Sequence, residues 1–214
     1  MIEEIQKNLS GYNFEIIIVD DNSPDMTWKI CREQNDPAIK VIKRTNSKGL
    51  ASAILRGIIE SSGDIIIWLD TDMLNCPEHF PQMVDMLMEC DVVVGSRYVE
   101  GGNDERDRLR CLTSIWLNGF ATLLLGYGIR DYDSGFIACR RSVFDTVIIK
   151  QEGYGEYCIR FIYLCCKRGL NVKEMPYSLI DRSSGDSKSF PNFFHFLMLG
   201  CEYGFEIIKT KFVK

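Results

Sequence analysis

Histidine is nearly absent from this sequence. Two occur in 214 residues, His79 and His195, and they stand far apart. No two cysteines share a C-x-x-C spacing, so the chain has none of the usual patterns of a structural zinc site. An excess of positive charge is also lacking. Twenty-five basic residues against 30 acidic give a net charge of -5, which argues against a nucleic-acid binder that works through its overall field. No apolar run approaches the ~18 residues that a membrane-crossing helix needs. The opening Met1-Ile2-Glu3-Glu4 does not have the basic-then-apolar order of a secretory signal. A cytoplasmic chain is the expectation.

What is present is globular. Hydrophobic residues make up 46% and charged residues 26%, a balance that excludes global disorder. Nine cysteines, odd in number and often set in apolar stretches such as Cys165-Cys166, read as reduced core thiols. At about 150 residues per domain, the length suggests one domain, residues 1–189, with a C-terminal amphipathic helix over 190–214.

The first half alternates two periodicities. Phe14–Val19, Ile39–Ile42, Ile65–Leu69 and Asp91–Gly95 are short β-branched or apolar runs. Helical spacing fills the intervals at Thr27–Gln34, Leu50–Ser61 and Glu78–Glu89. Continuous apolar strands separated by helices predict a mostly parallel sheet covered on both faces. In the second half, helices are expected at Thr113–Leu125, Tyr157–Arg168 and Phe193–Phe212, with a strand at Phe136–Cys139 and an edge hairpin or long strand at Val172–Ile180. Ile2–Leu9 also has helical spacing, so the first element is expected to be a helix, without the strand that usually opens such a sheet.

The polar clusters fall where strands end, the place where open α/β sheets bind ligands. Asp70-Thr71-Asp72 follows the most hydrophobic strand. In an extended segment its two carboxylates face one side and repel each other unless a cation such as Mg2+ or Mn2+ lies between them. Asp20-Asp21 occupies the equivalent position one strand over, placed to accept hydrogen bonds from a base or ribose, while Ser23 or Asp25 caps the next helix. Lys48-Gly49 precedes a helix whose open N–H groups suit an anion. Arg97, Arg110, Arg182 and Lys188 supply the forks and point charges that a phosphate needs.

Taken in order, VDDNSPD (19–25), KGLASA (48–53), LDTDMLNCPE (69–78), GSRYVEGG (95–102), DYDSGF (131–136) and DRSSGDSK (181–188) resemble the family 2 glycosyltransferases. The likeness is greatest to the dolichyl-phosphate mannose synthase and polyprenyl-phosphate branch. The resemblance implies a GT-A-like fold, a nucleotide-sugar donor with GDP-mannose favoured over UDP-sugars, a divalent metal, and a polyprenyl or dolichyl phosphate acceptor. It places Asp70, Thr71 and Asp72 at the metal and donor diphosphate, with Asp20, Asp21 and Lys48 near the nucleoside. Arg97, Arg110, Ser114, Arg182 and Lys188 are implied at the acceptor phosphate, with Asp72 and Arg97 as the catalytic pair and inversion at the anomeric carbon. A peripheral position at the cytosolic face of a membrane follows, with the apolar Thr113–Leu125 or Phe193–Phe212 helix, or a membrane-anchored partner subunit, making the contact. The alternative is a non-catalytic or truncated nucleotide-sugar-binding relative that acts as a scaffold subunit.

Overall fold

The computed structural model describes residues 1–71, 73, 75–151, 157–180 and 193–213, with side chains from 200 onward in the last stretch. Helix α1 (Ile2–Asn8) opens the chain and buries Ile5. Strand β1 (Ile16–Asp20) follows, then α2 (Thr27–Glu33) and β2 (Ile39–Lys43). β2 lies parallel to β1 with Ile16 opposite Ile39. Helix α3 (Leu50–Glu60) buries Ala51, Leu55 and Ile58, a spacing of four and three that keeps one stripe on the sheet.

Strand β3 (Ile65–Trp68) is followed by a 3-10 turn at Cys76–His79 and α4 (Phe80–Met86). The single helix expected over 78–89 is thus split. Pro77 and Pro81 each stand in the first turn of their own element, where a missing N–H costs nothing. Strand β4 (Val92–Ser96) is buried along its whole length, as a central strand covered on both faces must be. Short β5 (Asn103–Asp104) leads into α5 (Arg108–Leu125). α5 begins five residues earlier than its apolar pattern suggests, because Asp107 caps it by accepting from the Leu109 N–H at 2.9 Å.

β6 (Ile137–Arg140), α6 (Tyr157–Lys167), β7 (Val172–Pro176), β8 (Ser178–Leu179) and α7 (Phe193–Lys211) complete the order. The main sheet runs β3-β6-β4-β7. β6 is antiparallel to both β3 and β4, whereas β4 and β7 are parallel. β1 and β2 form a separate pair, as do β5 and β8. The α/β class and the GT-A-like arrangement expected from the sequence are present, with one reversed strand in the middle.

Two apolar layers hold the sheet. On one face Trp68 meets the edge of Phe161 at 5.4 Å, and its indole N–H donates to the Tyr157 hydroxyl at 3.1 Å. On the other, Phe136 packs between Phe80 and Tyr177. Gly95 is required there: a Cβ at this position would stand 2.5 Å from the Phe136 ring. All nine cysteines are free, and Cys139, Cys158 and Cys165 are buried thiols whose pKa burial pushes well up. Helix α7 packs on α5 and α6 and sinks Ile207 into the core, while Phe205, Ile208 and Phe212 stay exposed. Among the described residues no helix is long and apolar enough to cross a membrane.

Candidate functional site

The carboxyl ends of β1, β3 and β4, together with the loop that precedes β6, meet around one cavity. Asp20, Asp21, Lys48, Asp70, Thr71, Arg97, Arg110 and Ser114 all line it. The structure therefore brings residues from five separate stretches to one cavity. Asp72, Arg182 and Lys188 lie outside the described residues.

The aspartates at the end of β1 have different partners. Asp20 accepts from the Ser23 N–H at 2.8 Å and so fixes the turn. Asp21 is gripped by Arg44 at 2.5 Å and also accepts from the Gly49 N–H at 2.8 Å. Arg44 reaches on to the Ser52 hydroxyl and the Gly49 carbonyl. Asp21 and Arg44 thus tie β1 to the loop that carries Lys48 and to the start of α3. Met26, rather than Ser23 or Asp25, stands at the cap of α2, with Asp25 accepting from the Thr27 N–H.

Arg97 is buried, and its guanidinium forms a fork with Asp131: Nε to Oδ2 at 2.8 Å and Nη2 to Oδ1 at 2.6 Å. Asp131 also accepts from the Arg97 N–H at 3.0 Å. Asp104 and Asp133 stand 3.6 Å and 3.9 Å from the same guanidinium. Asp104 in turn holds Arg106 through two bonds of 2.8 and 2.6 Å. Burial alone would raise the Asp104 pKa, but the Arg106 bonds and the charges of Arg106 and Arg97 outweigh it and hold the carboxyl down to about 2. Arg110 and Ser114 sit one helical turn apart on α5 and face the cavity together. The Ser114 hydroxyl is enclosed next to that of Tyr98.

Asp133 behaves differently. Burial lifts its carboxyl to about 7; Asp131 and Asp70 add to the rise, against the opposing charges of Arg97 and Arg106. Asp70 itself packs against Gly135, where a Cβ would come within 3.3 Å of its Oδ2. The loop over 130–135 is held by Glu174, which accepts from the N–H groups of Arg130 and Asp131 at 2.9 Å each. Sequence reasoning missed Arg44, Asp104, Arg106, Asp131 and Asp133 as members of this cluster. The DYDSGF stretch carried the signal for two of them.

Residues 1–148 match the model of the family described as Glycosyl transferase family 2. The chain is 34% identical over 194 residues to a dolichol-phosphate mannosyltransferase from Pyrococcus furiosus, covering 88% of this chain and 54% of that protein. It is 32% identical over 183 residues to a polyprenol monophosphomannose synthase from Mycolicibacterium smegmatis, covering 81% of this chain and 69% of the relative. It thus spans about half the length of the first of these. Among solved structures it is similar to glucosyl-3-phosphoglycerate synthase from Mycobacterium tuberculosis in complex with Mn2+, UDP-glucose and phosphoglyceric acid. That likeness has a TM-score of 0.72 at 16% identity and covers 100% of this chain and 75% of the other. The strand order, the cavity at the strand ends and these likenesses agree: the chain belongs to glycosyl transferase family 2.

Proposed function

We propose that this protein transfers a hexose, mannose, from a nucleotide sugar to a polyprenyl or dolichyl phosphate, with inversion at the anomeric carbon. The observation that carries this reading is one cavity in which carboxylates from β1 and β3 face arginines and a serine from β4 and α5. The relatives named for mannosyl transfer to polyprenol-type phosphates support the acceptor class and the sugar. GDP-mannose is the donor proposed.

The acceptor needs no strong base. A phosphate monoester already carries about -1.5 to -2 charge near neutral pH. One of its oxygens attacks the anomeric carbon as the bond to the donor diphosphate breaks, and the nucleoside diphosphate leaves with that electron pair. The protein's work is to hold two anions together and to stabilise the departing charge. Arg110, Ser114, Arg182 and Lys188 are assigned to the acceptor phosphate. Arg97, fixed to Asp131, contributes positive field from a set position. Asp20 and Lys48 are assigned to the nucleoside side, with Asp21 holding the Lys48 loop through Arg44 and Gly49.

Among the described residues no group of three or more His, Cys, Asp or Glu side chains is gathered to hold a metal, so a cation here would draw on a carboxylate pair and on oxygens of the donor itself. Asp70 and Asp133 both line the cavity, and the like charge of Asp70 contributes to the raised Asp133 pKa; a cation would relieve that repulsion. Asp70 and Asp72, with Thr71 between them, are the proposed holders of Mg2+ or Mn2+. The ion would supply Lewis-acid stabilisation of the donor diphosphate.

The exposed face of α5 supports a membrane surface as the working location. Leu112, Trp116 and Leu123 lie on the side of the helix opposite Arg110 and Ser114, with Trp116 78% and Leu123 86% exposed. Such a face suits the headgroup boundary. The decisive test supplies radiolabelled GDP-mannose, with UDP-sugars as comparison, and polyprenyl phosphate in detergent. Label should enter the organic phase only with Mg2+ or Mn2+, and not with Asp72→Ala. Label that stays aqueous under every donor and metal would overturn the reading.

A further inference from the structure

The short stretch between β5 and α5 carries a guanidinium to which the glycosyl transfer described above gives no task. Arg106 lines the cavity together with Arg97, Arg110 and Ser114. Its side chain is 23% exposed, whereas that of its partner Asp104 is 5% exposed. The position is set from both sides. The Arg106 N–H donates to Asp104 Oδ1 at 3.3 Å, and the Cys111 thiol donates to the Arg106 carbonyl at 3.2 Å. Asp104 is fixed in turn: it stands opposite Leu179 in the β5–β8 pair and accepts from the Tyr98 hydroxyl at 3.2 Å.

An arginine fork is planar and carries five N–H donors. Nε and Nη2 of Arg106 give one each to the two oxygens of Asp104. That occupies one edge of the fork and leaves three donors on Nη1 and Nη2, none of them taken by a described residue. Burial alone would lower the Arg106 pKa, but the bonds to Asp104 outweigh both burial and the like charge of Arg97, so the group stays charged. Arg97 and Arg106 therefore repel each other across a shared carboxylate. An anion against the open edge would satisfy the remaining donors and relieve that repulsion. A phosphate monoester suits it well, with three acceptor oxygens and about -1.5 to -2 charge near neutral pH, and it matches a fork in paired bonds. Because Asp104 already orders the side chain, binding costs little further entropy.

We propose that Arg106 is a phosphate-binding residue of the acceptor subsite, meeting the acceptor phosphate through its Nη1–Nη2 edge beside Arg110 and Ser114, with Asp104 as its positioning residue. This assignment rests on the acceptor class proposed above. It divides the work between two arginines: Arg97, engaged by Asp131, supplies field, and Arg106 supplies contact.

The test measures equilibrium binding of farnesyl phosphate and of farnesol to the full chain by titration calorimetry. Arg106→Gln should weaken farnesyl phosphate binding by roughly tenfold or more and leave farnesol affinity unchanged. Arg106→Lys keeps the charge and loses the fork, so its affinity should fall between those of Arg106→Gln and the parent. The neutral pair Asp104→Asn with Arg106→Gln leaves Arg97 on Asp131; it should fold, as far-UV circular dichroism would show, and lose affinity as the single variant does. Should both glutamine variants unfold, Arg106→Lys decides. Three outcomes overturn the proposal: no binding of farnesyl phosphate by the parent, parental affinity in the variants that fold, or an equal loss for farnesol, which would make Arg106 a structural prop. Transfer of label from GDP-mannose to farnesyl phosphate, read in parallel, separates this proposal from the reading beneath it. Binding without transfer in the parent counts against glycosyl transfer, and the affinity of the variants still judges Arg106. Transfer whose KM for farnesyl phosphate is unmoved by Arg106→Gln counts against Arg106 alone.

Discussion

Replacing Asp131 with asparagine isolates the largest electrostatic commitment in the site. Asp131 is fully buried and Arg97 nearly so, and three hydrogen bonds of 3.0, 2.8 and 2.6 Å join them. The substitution keeps the shape and removes the charge, leaving a buried guanidinium that cannot shed its proton. Breaking one partner of such a pair costs about 3–5 kcal/mol. Asp104 and Asp133 remain 3.6 and 3.9 Å from the guanidinium, which places the expected loss at the lower end of that span. For a chain of this size, ~3 kcal/mol lowers the melting temperature by roughly 6–12 °C. Urea unfolding followed by tryptophan fluorescence gives the free energy directly. The pair Arg97→Met with Asp131→Leu should recover most of the loss, because an apolar pair of similar volume spares both desolvation costs. A loss below about 1 kcal/mol for Asp131→Asn, or a double variant no better than the single one, would refute the assignment of Arg97 as an ion-paired fixture.

Asp133→Asn probes the opposite situation. A carboxyl whose folded pKa is about 7 against an ordinary 3.8 binds its proton more tightly in the folded state, so it lowers stability progressively as pH rises between those values. The variant should match the parent near pH 4 and exceed it in melting temperature at pH 8; equal curves at both would dismiss the buried-charge reading. Asp104→Asn should do the reverse: with a folded pKa of about 2, the native carboxyl stabilises above its ordinary value and loses that contribution on acidification, so the deficit of the variant in urea should shrink toward pH 2. Gly102→Ala places a Cβ 2.5 Å from the Ser96 carbonyl oxygen and 2.8 Å from the Arg97 carbonyl carbon; since backbone cannot step aside, a loss of about 1–3 kcal/mol is expected, and a neutral result by thermal melting would contradict the tight turn. Trp116→Glu with Leu123→Glu should reduce co-sedimentation with anionic vesicles at least fivefold without lowering the melting point, and unchanged co-sedimentation would remove α5 from the membrane contact.

The strands and most helices were legible because their signal is local. Ile16–Val19, Ile65–Trp68 and Val92–Val94 are runs that only a covered strand accommodates, and α3 shows its stripe in the sequence. The start of α5 was less legible, since Arg108 and Arg110 interrupt the apolar pattern and the capping Asp107 is a weak signal alone. Nothing in Ile137–Arg140 indicates a reversed strand, because the direction of a short apolar run depends on its neighbours in the sheet. The site divided in the same way. Residues announced by a strand end, such as Asp20, Asp70 and Arg97, do line the one cavity. Partners set by tertiary approach, such as Arg44 for Asp21 across 23 positions and Asp131 for Arg97 across 34, were not legible. The separation of β1 from β3 likewise belongs to the assembled sheet and to no single stretch.

The distribution of thiols has a practical corollary. Five of the nine cysteines are buried and three are half-covered, which leaves Cys201 as the exposed one. It lies on α7, the helix that packs against α5. A maleimide fluorophore or spin label would therefore attach preferentially at a single native position, beside the helix whose outer surface is proposed to meet lipid. Approach to a bilayer could be followed there by quenching or accessibility without redesigning the chain.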